Sequence, residues 1–506
     1  MIKVSYMNDV EMYVEASNGI DHELMEFFSF YVDGYRFMPR YKNKQWDGKI
    51  NLYTPYQKRM YLGLLSQVIE YAQLMDYKIE IEPEVINCFY NKHFTDQVIE
   101  DFIDSIDVRS KGEQIFPYDH QRKAIVNGIK LNRMTLISGT SSGKSLIAYF
   151  LCRWFMEGSD EMYREMSDSG KILVITDSVM LVDQFVDDFI DYSTHNGWDA
   201  EGSCHKIYSG QDKETKKPIV ITTWQSAMKQ PRKWFDQFNY CINDEVHKAK
   251  ADALKGIHHK MVECPVKIGM TGTLDNAECN KLVIVGLFGP IQQFTTTKEL
   301  MDKGMVANLK IEGIQLKYPE EDCKLVRRAK YQDEIKFITK KKKRTQMIAH
   351  LAKVQGKRNT LILANNVKHC VDMYDEICET LDDPTREVFI ITGSVAREVR
   401  NEIKKLAEMA DGAVIVATYG CLSTGVSIKR IHTVVFASPT KSIIRTLQSV
   451  GRGLRLAKDK TKVTLYDIAD DFSIGKHKNY ALKHFIERLK IYNKEKFDYK
   501  ISKADL

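Results

Sequence analysis

The segment S-G-T-S-S-G-K-S, residues 138 to 145, combines glycines, small hydroxyl residues and one lysine. Gly143, Lys144 and Ser145 match the phosphate-binding pattern G-x-x-x-x-G-K-[ST], whereas Ser138 stands at the position of its first glycine. The flanking runs predict a strand before the loop and a helix after it, so main-chain N–H groups at the helix N-terminus would face phosphate oxygens. The candidate phosphate-binding residues are Ser138, Gly139, Thr140, Ser141, Ser142, Gly143, Lys144 and Ser145.

A pair of acidic residues later in the chain supplies the second half of this chemistry. In Y-C-I-N-D-E-V-H an apolar run ends at Asp244 and Glu245. Asp244 is placed to hold Mg²⁺ through water, and Glu245 can orient and deprotonate an attacking water. Lys144 would reach the β- and γ-phosphates, and Ser145 would bind the same Mg²⁺. Taken singly, the first segment could be a Ser/Gly turn and the second a solvated loop; their joint occurrence favours ATP hydrolysis.

A basic segment in the last part of the chain adds two arginines. K-S-I-I-R-T-L-Q-S-V-G-R-G-L-R predicts a helix on which Gln448, Arg452 and Arg455 are spaced i, i+4 and i+7 and share one face. Guanidinium groups in this arrangement suit a transferring phosphoryl group. The alternative is a basic face exposed to solvent. We expect ATP to lie between two domains, one carrying the loop and the acids and the other carrying the arginines.

Short apolar runs alternate with amphipathic stretches from Met134 onwards. The first series is M-T-L-I-S, K-I-L-V-I-T, P-I-V-I-T-T, Y-C-I-N-D and V-K-I-G-M-T, and the second is T-L-I-L-A, V-F-I-I-T-G, A-V-I-V-A-T, T-V-V-F-A and K-V-T-L-Y-D. Buried parallel strands have this character, and the alternation predicts sheets covered by helices on both faces. The predicted fold class is α/β, with two tandem parallel-sheet domains preceded by a small α+β domain.

Three domains are therefore predicted. They span residues 1–110, residues 111–297, which carry the candidate ATP site, and residues 298–506. The first contains the strand-like segments I-K-V-S-Y, M-Y-V-E-A and K-I-E-I-E and a helical pattern at Leu64 to Tyr77. A linker-like stretch, Thr295 to Glu312, separates the two α/β series. The basic run from Lys340 to Arg344 is either a solvated face or part of a DNA groove.

Composition sets limits on the class of protein. The net charge of +6 over 506 residues permits a polyanionic partner without requiring one. Ten cysteines without a C-x-x-C pair favour free, buried thiols over disulfides or a structural zinc. No apolar run approaches the roughly 20 residues that span a membrane, and the N-terminus lacks a signal-peptide layout. We expect a cytoplasmic protein without membrane contact.

Together these segments resemble the motifs of a superfamily 2 helicase of the DExH type, from Gln121 to about Asp471. S-G-T-S-S-G-K-S resembles motif I, in which Ala or Pro often replaces the leading glycine, and N-D-E-V-H resembles motif II. T-G-T-L resembles motif III, A-T-Y-G-C-L-S-T-G-V-S-I motif V and Q-S-V-G-R-G-L-R motif VI. The resemblance implies two RecA-like domains that use ATP and Mg²⁺ to unwind nucleic acid. Ser427 departs from the pattern, because many members carry Asp or Asn there.

The resemblance also implies roles for residues beyond the loop and the acids. The further residues of the nucleotide site are Gln121, which stands in the place of an adenine-reading glutamine, His247, Gly425 and Gln448. Thr271 and Thr273 would couple the nucleotide state to the strand-binding face. Small hydroxyls after strands suit hydrogen bonds to phosphate oxygens, although each could be an ordinary turn residue. These candidates are Thr176, Ser178, Thr223, Ser226 and Thr418.

Aromatic and basic residues interleave between positions 35 and 49. Aromatic rings can stack on exposed bases while cations meet phosphates, which predicts a nucleic-acid surface. The predicted basic contacts are Arg36, Arg40 and Lys42. The alternative is that Phe37, Trp46 and Tyr53 form a small core. We expect residues 1–110 to select the substrate and the motor to run without them.

The N-terminal block F-F-S-F-Y-V-D-G-Y-R-F-M-P-R-Y is similar to that of phage helicases of this superfamily. This similarity implies action on branched DNA, that is forks, junctions and R-loops, in recombination-linked replication and repair. RNA would enter as part of RNA–DNA hybrids, and the place of action would be the host cytoplasm. Three alternatives stay open: a double-strand DNA translocase that does not separate strands, an RNA helicase, and a non-catalytic nucleic-acid-binding scaffold.

Overall fold

The protein is described by a computed structural model. It describes residues 1–506 except 33, 92–93, 140, 158–169, 209, 249–250, 275–277, 424–427, 429, 440–459 and 476. The chain forms two compact units, Met1–Thr295 and Thr296–Leu506. None of the helices in the described part is both long and apolar enough to cross a bilayer.

The N-terminal region is built on a mixed five-stranded sheet. The strands up to residue 114 are β1 Ile2–Tyr6, β2 Glu11–Glu15, β3 Ser29–Tyr31, β4 Lys49–Asn51, β5 Tyr53–Thr54, β6 Arg59–Tyr61, β7 Ile79–Ile81, β8 Arg109–Ser110 and β9 Glu113–Gln114. Strand order in the sheet is β5-β6-β2-β1-β7, antiparallel except for the parallel pair β1 and β7. The segments I-K-V-S-Y, M-Y-V-E-A and K-I-E-I-E are confirmed as strands.

The first seven-stranded sheet is parallel throughout. Its strands are β10 Arg133–Ser138, β11 Lys171–Thr176, β12 Cys204–Ile207, β13 Ile219–Thr223, β14 Phe238–Asn243, β15 Val266–Thr271 and β16 Ile291–Thr295, in the order β12-β13-β11-β14-β15-β10-β16. All five residues of β13 are buried, as expected for a strand covered by helices on both faces. A hydrophobic core that includes Trp154 covers one face of the sheet. A second hydrophobic cluster, which includes Phe235 and Met261, covers the other face.

The second seven-stranded sheet is also parallel. Its strands are β17 Asn308–Lys317, β18 Thr360–Ala364, β19 Val388–Ile391, β20 Val414–Thr418, β21 Thr433–Phe436, β22 Lys462–Asp471 and β23 Tyr499–Asp505, in the order β19-β20-β18-β21-β22-β17-β23. The predicted α/β class with two parallel sheets is confirmed. The linker expected from Thr295 to Glu312 is wrong, because it contains the helix Thr297–Asp302 and half of β17. Charged residues alternate with apolar ones in this segment, as is typical of a strand with one exposed face, and this polar character made the segment resemble a linker.

Helices cover the sheets. In the first unit the α-helices are Asn18–Phe27, Pro39–Lys42, Leu65–Leu74, Pro83–Asn87, Asp96–Ser105, Asp119–Lys130, Lys144–Glu157, Val179–Tyr192, Ala200–Ser203, Trp224–Met228, Arg232–Phe235, Ala251–His258 and Glu278–Phe288, with short 3₁₀ turns at Tyr35–Phe37, Leu62–Leu64 and Val246–Lys248. In the second they are Thr297–Asp302, Glu320–Val326, Tyr331–Lys340, Lys342–Lys353, Val367–Thr380, Arg397–Met409, Tyr419–Ser423 and Tyr480–Lys494.

The N-terminal sheet shares a hydrophobic core with the first parallel-sheet region. Val4 and Met12 belong to the same buried cluster as Val285 and Phe288 of the helix Glu278–Phe288. Gly63 lies directly against that helix, since a Cβ atom at Gly63 would stand 2.1 Å from the Val285 carbonyl oxygen. Only glycine allows this approach.

A buried polar junction reinforces this contact. Arg133 and Lys267, which pair across β10 and β15, both donate to the main-chain carbonyl of Asp9, at 2.5 and 2.7 Å. The Asp9 N–H donates in turn to the Val262 carbonyl (3.1 Å). Within the first unit, therefore, the N-terminal region is bound to the starts of the strands whose far ends reach the candidate site.

Residues 94–108 pack against the helix Lys144–Glu157, which covers the first parallel sheet. The rings of Phe94 and Phe102 meet the ring of Trp154 edge-on, with centroids 4.9 and 5.0 Å apart. Such edge-to-face pairs add about 0.5–1.5 kcal/mol beyond the area they bury. The domain boundaries at residues 110 and 297 stay predictions.

Candidate nucleotide and nucleic-acid sites

The candidate phosphate-binding loop connects β10 to the helix Lys144–Glu157. The Ser142 N–H donates to the Gly139 carbonyl and the Gly139 N–H donates to the Thr295 carbonyl, both at 3.1 Å. Ser141 and Gly143 have positive φ angles of 66° and 80°, which turn the chain sharply before the helix. This strand–loop–helix arrangement is the predicted one, and it presents a helix N-terminus to an anion. Thr140 lies outside the described residues.

A glutamine and a histidine contact the main chain of this loop. Gln121 Nε2 donates to the Ser142 carbonyl at 2.8 Å, and His120 Nε2 contacts the same oxygen at 3.1 Å. Gln121 Oε1 accepts from the Tyr118 N–H at 2.8 Å and so caps its own helix. A Cβ atom at Gly143 would lie 2.2 Å from Gln121 Nε2, so a side chain at this position would displace the Gln121 amide from the Ser142 carbonyl. Gln121 therefore supports the loop, and its contact with adenine stays a prediction.

The acidic pair follows β14 directly, as predicted. Glu245 has a φ of 51°, a conformation that side-chain-bearing residues seldom adopt and that is concentrated at functional sites. Its Oε1 lies 3.9 Å from Lys144 Nζ, and both side chains are about nine-tenths buried, with 10% and 12% exposure. The neighbouring Asp244 N–H donates to the Ile175 carbonyl at 2.8 Å. The structure thus brings the lysine of the loop to the candidate base.

His247 lies between the acidic pair and the segment T-G-T-L. His247 Nδ1 lies 3.4 Å from Glu245 Oε2 and 2.6 Å from Thr271 Oγ1. The Thr271 hydroxyl donates to the Thr273 carbonyl at 2.6 Å. Because that bond uses its only proton, Thr271 accepts from the histidine, which fixes the proton on Nδ1. The two predicted coupling threonines are therefore joined to the acidic pair through His247.

The oxygen atoms near the loop suit Mg²⁺ held jointly with phosphates. The candidate ligands, the Ser145 hydroxyl and the Asp244 carboxylate, are hard oxygen donors, which Mg²⁺ prefers. Within the described residues, no group of three or more His, Cys, Asp or Glu side chains could hold a metal ion alone. Mg²⁺ is commonly bound in this way, by one or two protein oxygens together with the phosphates of a nucleotide.

The predicted strand-end hydroxyls of the first sheet lie side by side. Thr176 and Thr223 are register partners at the ends of β11 and β13. Both are buried: Thr176 donates to the Ser178 carbonyl at 3.2 Å, and Thr223 caps the helix that contains Ser226. Ser178 and Ser226 are partly exposed. Their contact with nucleic acid stays a prediction, and burial leaves the two threonines a local structural role.

Part of the predicted site in the second unit can be located. Thr418 ends β20, is partly exposed and has its hydroxyl 3.2 Å from Cys421 Sγ. The other predicted residues, Gly425, Gln448, Arg452 and Arg455, lie outside the described residues.

An exposed aromatic and basic surface, formed by residues 31 to 49, lies in the N-terminal region. The rings of Tyr31 and Tyr35 stack at 4.6 Å, and the Arg36 guanidinium lies 5.6 Å from the Tyr35 ring centre. Phe37 is 80% exposed. The predicted basic contacts on this surface, Arg36, Arg40 and Lys42, are all exposed.

The alternative of a small aromatic core is true for Tyr53 alone among its three members. Tyr53 is completely buried and donates to Asp21 at 2.6 Å. Trp46 is half-buried, with its indole N–H bonded to the Lys49 carbonyl at 2.7 Å. Phe37 points to solvent.

Sequence reasoning missed one residue that touches the candidate site. Tyr192 OH lies 3.1 Å from Ser145 Oγ, although the two are separated by 47 positions. The helix Val179–Tyr192 was predictable from its periodicity, but its packing against the helix Lys144–Glu157 was not. A polar aromatic at the end of an apolar helix is the only local signal.

Comparison with known families covers most of the chain. Residues 1–82 match the model for the N-terminal region of DNA helicase UvsW, residues 97–276 that for the res subunit of type III restriction enzymes, and residues 341–457 that for the conserved C-terminal domain of helicases. The three matches follow one another in the order of the predicted domains.

Individual relatives agree with the family models. The ATP-dependent DNA helicase uvsW of Enterobacteria phage T4 is 35% identical over 521 residues, covering 100% of both chains. The crystal structure of T4 UvsW matches 100% of this chain and 99% of its own, with 33% identity and a TM-score of 0.52. S. cerevisiae Dbp5 bound to RNA and ADP BeF3 matches 77% of this chain and 90% of its own, with 13% identity and a TM-score of 0.52, which shows a shared fold alone.

Proposed function

The chain belongs to the UvsW family of ATP-dependent DNA helicases, and from that membership we propose that it remodels branched DNA and R-loops. It is an ATP-hydrolysing helicase that binds nucleic acid, and its similarity to a phage protein supports a phage origin. One observation carries the finer proposal: the exposed surface of residues 31 to 49 belongs to the same compact unit as the nucleotide loop. The place of action is the cytoplasm of the bacterial host.

The nucleotide chemistry is assigned to the residues around the loop. Lys144 binds the β- and γ-phosphates, and in doing so exchanges its 3.9 Å contact with the Glu245 carboxylate for the phosphate oxygens. The released carboxylate orients and deprotonates the attacking water. Ser145 and Asp244 hold Mg²⁺, which would neutralise charge on the phosphates when bound.

Two arginines of the second α/β domain complete the proposed nucleotide site. Arg452 and Arg455 stabilise the charge on the transferring phosphoryl group, as arginine fingers do. His247 reports the state of Glu245 to Thr271 through its close contact with the Glu245 carboxylate and its hydrogen bond to the Thr271 hydroxyl. A change in these contacts accompanies each turnover and reaches the strand-binding side.

The nucleic acid is assigned to two kinds of surface. Ser178, Ser226 and Thr418 contact phosphate oxygens along one strand, which carries no information about sequence or branching. The surface of residues 31 to 49 supplies the branch preference, because bases are unstacked and phosphates converge where pairing is interrupted. Exposed rings such as Phe37 suit contact with unstacked bases, and exposed cations such as Arg40 suit contact with converging phosphates.

The nucleotide assignment is tested with two variants. Lys144→Ala should abolish ATP turnover and leave DNA binding largely intact. Glu245→Gln should retain ATP binding and lose hydrolysis by roughly 10²-fold or more. Turnover near wild type in the first variant, or loss of ATP binding in the second, would remove the assignment and favour the scaffold alternative.

The substrate assignment is tested with a charge reversal. Arg36→Glu, Arg40→Glu and Lys42→Glu together should weaken binding to a four-way junction and reduce the slope of log K against log salt by about 3. The matched control reverses three exposed cations of the second unit, Arg327, Arg328 and Lys330, with the same change in net charge.

ATPase stimulation is then compared across single-stranded DNA, duplex, fork, junction, single-stranded RNA and RNA–DNA hybrid. The branch preference should fall in the first triple variant and persist in the control. Equal preference in both variants would place substrate selection elsewhere. Stimulation by RNA above DNA would favour the RNA helicase, and displacement of a triplex strand without fork unwinding would favour the translocase.

A further inference from the structure

The hydroxyl group of Ser145 has a defined partner in the folded chain. Its Oγ lies 3.1 Å from the phenol oxygen of Tyr192, the last residue of the helix Val179–Tyr192. This contact joins Ser145, the residue assigned to Mg²⁺, to the helix that follows β11 in the chain. The two helices pack along one another on the same face of the first sheet.

Tyr192 is held in place by its surroundings. Its ring meets the ring of Tyr149 edge-on, with centroids 5.4 Å apart and an interplanar angle of 73°. Its main-chain carbonyl accepts from Asn196 Nδ2 at 3.1 Å, and the same amide donates to the Tyr149 hydroxyl at 3.0 Å. Arg153 Nη1 donates to that hydroxyl as well, at 2.9 Å. The phenol oxygen is therefore positioned before any ligand binds.

A hydroxyl group that binds a metal ion needs a hydrogen-bond acceptor for its proton, and Tyr192 can be that acceptor. A serine oxygen that ligates a cation must direct a lone pair at the cation and its proton at an acceptor. A phenol oxygen is such an acceptor, and it keeps its own proton for a different partner. A partner at a fixed position restricts the rotation of the Ser145 hydroxyl and keeps its lone pair directed toward the loop.

We propose that Tyr192 is a positioning residue, which orients the Ser145 hydroxyl toward the Mg²⁺ that accompanies the nucleotide. The proposal rests on the proposed function, in which Ser145 is a Mg²⁺ ligand. Outer partners of metal ligands commonly tune affinity in this way. Because Tyr192 would act through the Ser145 hydroxyl, its effect should fall on the metal dependence.

The test removes one oxygen. Tyr192→Phe keeps the ring and its contact with Tyr149 and deletes the hydroxyl. In the full chain, the Mg²⁺ concentration for half-maximal ATPase should rise about three- to tenfold, the effect of one hydrogen bond. In the Glu245→Gln background, where hydrolysis is blocked, a fluorescent ATP analogue is titrated with and without Mg²⁺. The tightening caused by Mg²⁺ should shrink by a similar factor.

Two controls separate positioning from a structural role. Tyr13→Phe, a substitution at an exposed tyrosine of the N-terminal sheet, should leave the Mg²⁺ dependence as it is. Adding Tyr192→Phe to Ser145→Ala should cause no further loss of Mg²⁺-linked nucleotide binding. An equal loss in both backgrounds, or an unchanged Mg²⁺ dependence in Tyr192→Phe alone, would overturn the proposal.

The same experiment distinguishes failure of the two proposals. If Ser145→Ala retains full Mg²⁺-linked binding, Ser145 is no Mg²⁺ ligand and the metal assignment of the proposed function falls. If Ser145→Ala loses it and Tyr192→Phe does not, only the role of Tyr192 falls. Melting temperatures of all variants, measured without nucleotide, show whether the fold is retained. A Tyr192→Phe variant that melts early and responds to Mg²⁺ normally also counts against positioning.

Discussion

Both compact units bury cations beside their parallel sheets, but Arg133 and Lys267 of the first unit are neutralised differently from the buried arginines of the second. Among the described residues of the second unit, each buried arginine has a carboxylate of its own on β22. Arg344 bonds Asp470 at 2.6 and 3.0 Å, and Arg488 bonds Asp467 at 2.8 Å. In the first unit Arg133 and Lys267 share a main-chain carbonyl, that of Asp9, whose carboxylate lies 3.7 Å from Arg133.

This difference shows where the stability of each unit comes from. A carbonyl dipole compensates a buried charge less than a carboxylate does, and burial together with the charge of Arg133 lowers the pKa of Lys267 to about 8. The second unit keeps its charge balance within its own sheet and helices. In the first unit Lys267 also donates to the Met261 carbonyl at 2.9 Å, but Arg133 and Lys267 both use an acceptor from the N-terminal region, so the two parts are expected to unfold together.

The largest effect should come from breaking a carboxylate pair in the second unit. Asp470→Ala leaves the Arg344 guanidinium buried without its partner and should destabilise this unit by about 3–5 kcal/mol. Urea denaturation of the full chain measures it. The double variant Arg344→Met, Asp470→Ala should recover much of the loss, because no charge stays buried. A single variant that loses less than about 1 kcal/mol would contradict this account.

The next effect concerns pH and the first unit. Because the folded pKa of Lys267 is about 8 against an ordinary 10.5, the unfolded chain holds a proton between these values that the folded chain has released. Stability therefore rises with pH across this window, by up to about 3 kcal/mol. Lys267→Met should lack this rise.

Comparing the unchanged protein with Lys267→Met isolates the contribution of Lys267 to the pH dependence of stability. Raised pKa values of buried thiols such as Cys264 act in the opposite direction at alkaline pH, but they do so in both proteins. The pH profile of the free energy of unfolding is measured from pH 7 to 10. Parallel profiles would mean that the Asp9 carbonyl compensates Lys267 fully.

A smaller effect is expected where the N-terminal region meets the helix Glu278–Phe288. Gly63→Ala would place a methyl group 2.1 Å from the Val285 carbonyl oxygen and should cost about 1–3 kcal/mol of stability. It should also speed proteolytic cleavage of the first unit. Gly19→Ala is the matched control, since nothing lies within 4 Å of its Cβ position. Equal behaviour of the two variants would show a looser contact.

The smallest effect should come from an exposed ion pair in the second unit. Lys490 and Glu487 lie 2.8 Å apart with side chains 68% and 53% exposed. Lys490→Ala should change the free energy of unfolding by less than about 1 kcal/mol. Thermal melting at low and high salt measures it. A loss that matches Asp470→Ala would mean that burial does not govern these pairs.

The parallel sheets and the nucleotide loop were predictable because their signals are local. I-V-I-T-T is a continuous β-branched run, and it forms a fully buried strand. The basic run Lys340 to Arg344 carries no comparable signal. It was expected to be either a solvated face or a DNA groove, yet Arg344 is completely buried and pairs with Asp470, 126 positions away. Nothing in the surrounding lysines distinguishes the one cation that folds inward.

The N-terminal region shows the same limit. Its sequence suggested a separable module, but the shared core with Val285 and Phe288 depends on contacts across some two hundred positions. Deletion of residues 1–110 would expose that core and leave Arg133 and Lys267 without the Asp9 carbonyl. Surface charge reversal is therefore the cleaner test of substrate selection.

The shared core also has a consequence for synthesis on the ribosome. The N-terminal region emerges first, but the helix Glu278–Phe288, against which its Leu62–Leu64 turn packs, follows about two hundred residues later. At roughly 5–20 residues per second, that delay is on the order of 10–40 s. During this interval Leu62, Leu64 and their neighbours lack this part of the core. We expect the nascent chain to recruit chaperones at this stage and the region to become resistant to protease only after residue 288 has left the exit tunnel.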